Sequence, residues 1–181
     1  KVIKNNDLHL VGIVDAMYNN NISDFPDNSY DYAIVATPID THYNIASLLK
    51  NKRFLLEKPA CKSISQIEIL SNDNYDFGIG YVLLYTRGVQ KIANMNQKWN
   101  FAHFFRSNQK VIRKDCDVVY DLLCHDLAIA MYILGTNYKI IYINYSTDVI
   151  TCLIQFEQCV CYFYCSRDDD IKMSSCSFSN S

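Results

Sequence analysis

The sequence predicts an α/β protein: a parallel sheet first, then an α+β part built on an open antiparallel sheet. Three observations carry this reading. Two short apolar runs, Tyr32–Thr37 and Phe54–Leu56, end near prolines, Pro38 and Pro59, with a helical pattern between them. Two buried strands joined by one helix form a βαβ unit, which makes a parallel pair with a right-handed crossover. A long helical pattern follows at Val118–Leu134, and from Lys139 the apolar period changes to two, the period of strands with one face on a core.

Length and composition set the frame. At 181 residues the chain builds one good core or two small ones. Half of it is apolar and a fifth is charged, a globular composition. A net charge of −2 and a pI of about 6.1 argue against a nucleic-acid partner, which needs a basic face. No apolar run reaches the roughly 18 residues of a membrane span, and the polar start carries no signal-peptide pattern. The eight cysteines contain no CxxC pair, so no zinc pattern is present and no metal site is expected. They read as small apolar residues kept reduced in a cytoplasmic protein.

In chain order, His9–Asp15 reads as a buried strand with Asp15 at its carboxyl end. In a dinucleotide-binding sheet such an acid accepts hydrogen bonds from the adenine ribose, and Asp also starts turns well. Ala16–Ser29 holds three consecutive Asn, a Pro and several Asp, and reads as loop. Tyr32–Thr37 is the next buried strand, and Asp40 or Thr41 is placed to cap the helix that carries Ile45, Leu48 and Leu49. Phe54–Glu57 is the third strand. Ser63 or Ser65 caps a helix to about Leu70, Asp76–Tyr85 reads as a strand-like crossing, and a helix is expected over Arg87–Met95. A strand starts near Lys98. Leu122, His125, Ile129 and Ile133 make one stripe of the long helix, which Gly135 ends. Lys139–Tyr145, Val149–Phe156 and Val160–Cys165 read as antiparallel strands, and the Ser-rich tail from Asp168 shows no core of its own. The domain boundary is expected near Pro59, giving domains 1–60 and 61–181.

Two constellations carry chemistry. Glu57 and Lys58 fall at the carboxyl end of a strand, where open α/β sheets bind ligands; a solvated surface pair is the alternative. Asp121 and His125, four residues apart, share one face of the long helix. An imidazole exchanges protons near neutral pH and a carboxylate one turn away orients it; a surface Asp–His pair is again the alternative. Asp126 would point elsewhere, into solvent. His42, just after a strand, faces the same crevice, and His9 and His103 receive no role.

The order of these motifs resembles the Gfo/Idh/MocA family of NAD(P)-dependent oxidoreductases. The matching pieces are VGIVD at Val11–Asp15, DYAIVATPIDTHYNIA at Asp31–Ala46, FLLEKP at Phe54–Pro59, GIGYVLLYTRGVQKI at Gly78–Ile92, DLLCHDLAIAMYILG at Asp121–Gly135 and DVITCLIQF at Asp148–Phe156. The resemblance implies a partial Rossmann domain, then an α/β domain whose open sheet forms homo-oligomer contacts. It implies hydride transfer between NAD or NADP and a secondary alcohol of a sugar or polyol, with nucleotide-linked or amino sugars favoured by HDLAI. It makes Lys58, His125 and Asp121 the catalytic residues, and places Asp15, Thr37, Pro38, His42, Glu57 and Lys58 along the cofactor.

The departures from the family pattern are equally definite. None of the five glycines makes a GxGxxG turn. The stretch between Asp15 and Asp31 is too short for the helix, strand and helix the family places there. Leu84 stands where the family often has arginine, and Ala128 where it has an acid. The chain therefore reads as a homologue cut at both ends, and an inactive remnant or binding module is the alternative to a working enzyme. Without the family's first strand, low stability or self-association is expected from an unpaired edge.

Overall fold

A computed structural model of the protein describes residues 8–15, 17, 21–73, 75–110 and 116–180. The chain divides into two compact units, Lys1–Gly78 and Ile79–Ser181. The helix and short strand after Pro59, assigned by sequence to the second domain, cluster with the first.

The first unit is built on a three-stranded sheet in the order β1 (Tyr32–Val35), β2 (Arg53–Leu56), β3 (Phe77–Ile79). β1 and β2 are parallel, with Tyr32 opposite Arg53 and Val35 opposite Leu56, as the βαβ reading requires. Helix α1 (Ile39–Ser47) connects them, and α2 (Ile64–Asn72) follows β2. Ser63 caps α2, its side chain accepting from the Gln66 amide at 3.4 Å. Neither Asp40 nor Thr41 caps α1. The helix starts directly after Pro38, whose fixed φ suits a helix start, and Asp40 falls in the first turn, where an acid complements the helix dipole.

Two expectations for this unit are overturned. β1 and β2 are not buried through their length. Val35, Phe54 and Leu56 are buried, whereas Tyr32 and Ile34 remain 62% and 61% exposed on the opposite face. The strands alternate because, among the described residues, helices cover one face only. Residues 8–15 do not form a strand either; they run outside both sheets, with Leu8, Leu10, Val11, Ile13 and Val14 exposed. An apolar run becomes a strand only beside a hydrogen-bonding neighbour, and β1, the sheet's edge, has β2 alone as its partner among the described residues.

The second unit carries a five-stranded sheet of β4 (Phe101–Gln109), β5 (Tyr138–Tyr145), β6 (Val149–Phe156), β7 (Cys159–Asp169) and β8 (Met173–Ser179), in the order β5-β6-β7-β4-β8. It is mixed rather than antiparallel, since β4 runs parallel to β7 between antiparallel neighbours. Helices α3 (Arg87–Ala93) and α4 (Cys124–Leu134) supply Val89, Ile129 and Ala130 to the core on one face. Register rows show how the core is assembled: Cys152, Phe163, Phe104 and Cys176 lie side by side across the sheet, with exposed Ile143 of β5 at the row's end. Phe104 and Phe163 stack with ring centroids 4.7 Å apart. The next row on the other face reads Asn144, Thr151, Tyr164, Phe105 and Ser175.

The Ser-rich tail also differs from expectation. It is edge strand β8, and its serines have a positional reason. Ser175, Ser177 and Ser179 lie on the open face, while Cys176 and Phe178 pack against the core. Phe178 also meets Trp99, with ring centroids 5.5 Å apart. Asp76–Tyr85 is a strand only over Phe77–Ile79 and then a 3₁₀ turn, Val82–Tyr85.

Candidate active site

In the first unit the polar groups gather at the carboxyl ends of β1 and β2. The Glu57 amide donates to the Val35 carbonyl at 2.9 Å, carrying the parallel pairing one step past the strands. Thr37 and Pro38 then lead into α1. The Thr41 hydroxyl lies 2.8 Å from both the Thr37 hydroxyl and the Pro38 carbonyl, which fixes this turn. His42 is buried. Its Nε2 lies 2.7 Å from the Thr37 carbonyl and its Nδ1 3.0 Å from that of Pro59. Glu57 Oε2 accepts from the Lys58 amide at 3.2 Å, and Lys58 and Glu57 are both half-buried. Thus Thr37, Pro38, His42, Glu57 and Lys58 come together. Asp15 stands on no strand end; its Oδ1 accepts from the Met17 amide at 2.8 Å, the turn-forming habit of Asp.

In the second unit Asp121 and His125 lie on one continuous helical segment, but not on one uniform helix. Val119–Leu123 is a π-helical turn that passes directly into α4. Such turns are uncommon and are frequent at functional sites. Asp117 starts this one, its Oδ1 accepting from the Val119 and Tyr120 amides at 3.0 and 3.2 Å. Asp121 is buried and His125 half-buried, so the surface-pair alternative fails for Asp121.

Two arginines, one buried and one partly buried, unremarked in the sequence, organise this region. Arg167, on β7, is 1% exposed. It donates to Asp148 Oδ1 at 2.9 and 3.1 Å and to the carbonyls of Cys116 and Thr147 at 2.8 and 2.9 Å. Its Nη1 stands 4.0 Å from Asp121 Oδ2, a guanidinium beside the candidate carboxylate. Arg106, on the core side of β4, binds Asp126 with Nη2 to Oδ1 at 2.6 Å and Nε to Oδ2 at 2.9 Å. Asp126 is therefore not solvated but 2% exposed. Burial lowers the Arg106 pKa, and the Asp126 carboxylate more than offsets this, so the value ends raised.

Tyr81 is a further side chain absent from the sequence reading. Its ring meets His125 edge-on at 6.5 Å between centroids. Burial pushes its phenol up, with the Cys124 thiol adding to the shift, so the hydroxyl stays protonated. The available signal was its place directly after Gly80, at the end of the β3 crossing. Among the described residues no group of three or more His, Cys, Asp or Glu side chains is placed to hold a metal. All eight cysteines are free thiols, and no helix among the described residues is long and apolar enough to cross a membrane.

No family model and no curated protein matches the sequence; the likeness is in the fold. A myo-inositol dehydrogenase from Lactobacillus casei, solved with NAD(H) and myo-inositol, superposes with a TM-score of 0.74 at 14% identity, over 86% of this chain and 54% of that one. A UDP-N-acetylglucosamine 3-dehydrogenase from Acidithiobacillus ferrooxidans gives 0.71 at 18% identity, over 83% and 55%. A 3-ketoreductase from Actinomadura kijaniata, solved with NADP, gives 0.73 at 13%, over 90% and 56%. This chain has the fold of these dehydrogenases. It spans little more than half the length of each. The fold agrees with the Gfo/Idh/MocA resemblance.

A dinucleotide is the group this fold implies, and the first unit fits part of it. The turns after β1 and β2 offer hydroxyl, carboxylate and ammonium groups at Thr37, Glu57 and Lys58, which suit a ribose and a nicotinamide. A diphosphate is another matter. It is held by backbone N–H groups of a glycine turn at a helix N-terminus. The turn from β1 to α1 has Pro38, which lacks an N–H, and the turn from β2 to α2 has Pro59; neither contains glycine. These turns do not cradle a diphosphate.

Proposed function

We propose that the chain is part of an NAD(P)-dependent oxidoreductase of the Gfo/Idh/MocA type, acting on a secondary alcohol of a sugar or polyol. The observation that carries this reading is Asp121, buried beside Arg167 on a π-helical turn one step before His125. A buried carboxylate beside a guanidinium, one turn from a histidine, is a functional candidate. NAD or NADP, when bound, supplies the hydride acceptor. His125 takes the proton of the alcohol, and Asp121 orients the imidazole or binds a neighbouring hydroxyl. The Lys58 ammonium holds the substrate hydroxyl and the nicotinamide ribose and favours the developing alkoxide. Thr37, Pro38 and Glu57 line the nicotinamide end, so the first unit is the partial cofactor domain and the second the substrate domain.

The substrate classes to try first are polyols and nucleotide-linked or amino sugars, which the structural neighbours act on or bind. The open face of the second unit, with Phe105 and Tyr164 stacked at 5.1 Å, is the proposed homo-oligomer contact. Neither a nucleic acid nor a membrane enters this reading, and the free thiols suit the cytoplasm. A second reading, a binding module without turnover, is favoured by the lack of a diphosphate cradle in the two turns described. Titration with NADH and NADPH, followed by nicotinamide fluorescence, separates the two. Saturable binding with turnover that Lys58→Ala abolishes, folding intact, supports the enzyme. Absence of binding at millimolar cofactor, or wild-type turnover in Lys58→Ala, removes it.

A further inference from the structure

The β5–β6 turn is closed by its own hydrogen bonds and meets the start of the π-helical turn. The Ser146 amide donates to the Val149 carbonyl at 2.8 Å, and the Val149 amide to Ser146 Oγ at 3.1 Å. The Thr147 carbonyl accepts from the Val118 amide at 3.0 Å and from Arg167 Nη2 at 2.9 Å. A carbonyl oxygen has two lone pairs, so it serves both donors. The Arg167 amide donates to the Asp148 carbonyl at 2.8 Å, which sets β7 against the same turn.

A guanidinium spreads its N–H groups in a fixed planar fork. In Arg167, Nε and Nη2 meet Asp148 Oδ1 at 3.1 and 2.9 Å. Nη1 meets the Cys116 carbonyl at 2.8 Å and stands 4.0 Å from Asp121 Oδ2. The Asp148 side chain is 53% exposed and that of Asp121 6%. One cation thus lies between an outer and an inner carboxylate, and the outer one holds it. The inner one is tied to the same place through the backbone. Cys116 and Val118 flank Asp117, whose carbonyl accepts from the Asp121 amide at 3.0 Å. A point charge attracts a carboxylate without fixing the backbone that carries it, whereas a fork bonded to several chain segments does both.

We propose that Arg167 is a positioning residue for Asp121: its fork fastens the residues that start the π-helical turn to the β5–β6 turn, and so fixes where the Asp121 carboxylate stands. Arg167 touches neither substrate nor cofactor. The inference deepens the reading of Asp121 as a site residue and takes its functional meaning from that reading. The fastening itself is independent of turnover.

The test uses the full chain without cofactor at one neutral pH. Arg167→Lys keeps a cation but gathers its donors on one atom, and Arg167→Met removes cation and fork together. Amide exchange at Val118 and Asp121 is expected to accelerate at least about tenfold in both variants, the factor for one charge-assisted hydrogen bond lost. It accelerates more than exchange at Phe104 and Phe163, which report the sheet as a whole. The carboxyl-carbon resonance of Asp121 is expected to shift in both variants, while that of Asp126, bound to Arg106, keeps its wild-type position. Faster exchange with an unmoved Asp121 carbon makes Arg167 a staple of the fold alone and overturns the proposal. So does an Arg167→Lys variant that matches the wild type in exchange and spectrum. If Arg167→Met does not fold, Arg167→Lys and Asp148→Ala decide. Asp148→Ala removes the outer hold at a half-exposed position, and is expected to move the Asp121 carbon and speed exchange at Val118; wild-type behaviour in both variants overturns the proposal. Turnover enters none of these readouts, so failure of the enzyme reading leaves them standing.

Discussion

Replacing Arg106 by methionine keeps the length of the side chain and deletes the guanidinium that neutralises Asp126. The carboxylate is 2% exposed and loses two charge-assisted bonds of 2.6 and 2.9 Å. The intact pair contributes little net stability, because desolvating both ions offsets their attraction, whereas removing one partner strands a buried charge at a cost of about 3–5 kcal/mol. Against a domain stability of roughly 5–15 kcal/mol, that is a large fraction. Trp99, the single tryptophan, packs on Phe178 at the edge of the same core and reports its unfolding. With m about 2 kcal/mol/M in urea, the midpoint of the Trp99 emission change is expected to fall by about 2 M at unchanged slope. The double variant Arg106→Met with Asp126→Leu is expected to recover most of the loss, since no charge remains to be stranded. A loss below about 1 kcal/mol in the single variant, or a double variant at least as unstable, refutes this account of the core.

Alkaline pH is a second lever. Burial pushes the Cys152 thiol up to about 11 and those of Cys161 and Cys165 further. Unfolded thiols ionise near ~8.5, so the native state holds protons the unfolded chain has lost, and each group removes up to ~1.4 kcal/mol per pH unit above that point. Urea midpoints are expected to be steady below pH ~8 and to fall steeply from pH ~9 upward, less so in Cys161→Ala; a level profile contradicts the assignment. Tyr162→Glu, in the middle of the open face of the second unit, is expected to give a monomer by light scattering with an unchanged circular dichroism spectrum. Ile34→Lys, on the uncovered face of the first sheet, is expected to shift stability by no more than ~0.5 kcal/mol and to raise solubility, measured by the concentration at which scattering appears; unfolding would show that this face is covered.

The elements most legible in the sequence are those whose signals are local. Tyr32–Val35 and Arg53–Leu56 stand out as apolar runs stopped by Pro38 and Pro59, and Ser63 announces its helix. What the sequence hides is set by neighbours. His9–Asp15 has the composition of a strand, but pairing is decided by what lies beside β1. The tail looks polar because every second residue of β8 is serine, and only the register reveals that Cys176 and Phe178 point into the core. Of the candidate site, Lys58, Asp121 and His125 were visible through motif order. Arg106, Arg167 and Tyr81 were not, because their roles depend on parity along a strand or on a turn, and a lone arginine in a strand carries no mark of its partner. Asp126 was misplaced for a related reason: adjacent to His125, it sits about 100° away on the helix, and that side faces Arg106.

The π-helical turn sets a limit on chain length that is independent of residue identity. Its extra residue determines the phase between Asp121 and the face of α4 that bears His125. Deleting any one residue from 119–123 restores ordinary helical winding and removes the wide turn on which Asp121 sits. Asp121 would leave Arg167 behind, and Asp117 would no longer start the turn. Point substitutions among exposed positions such as Tyr120 leave that phase intact. Homologues that conserve the chemistry are therefore expected to vary in residue but not in count between Asp117 and His125, a spacing rule that can be read from aligned sequences alone.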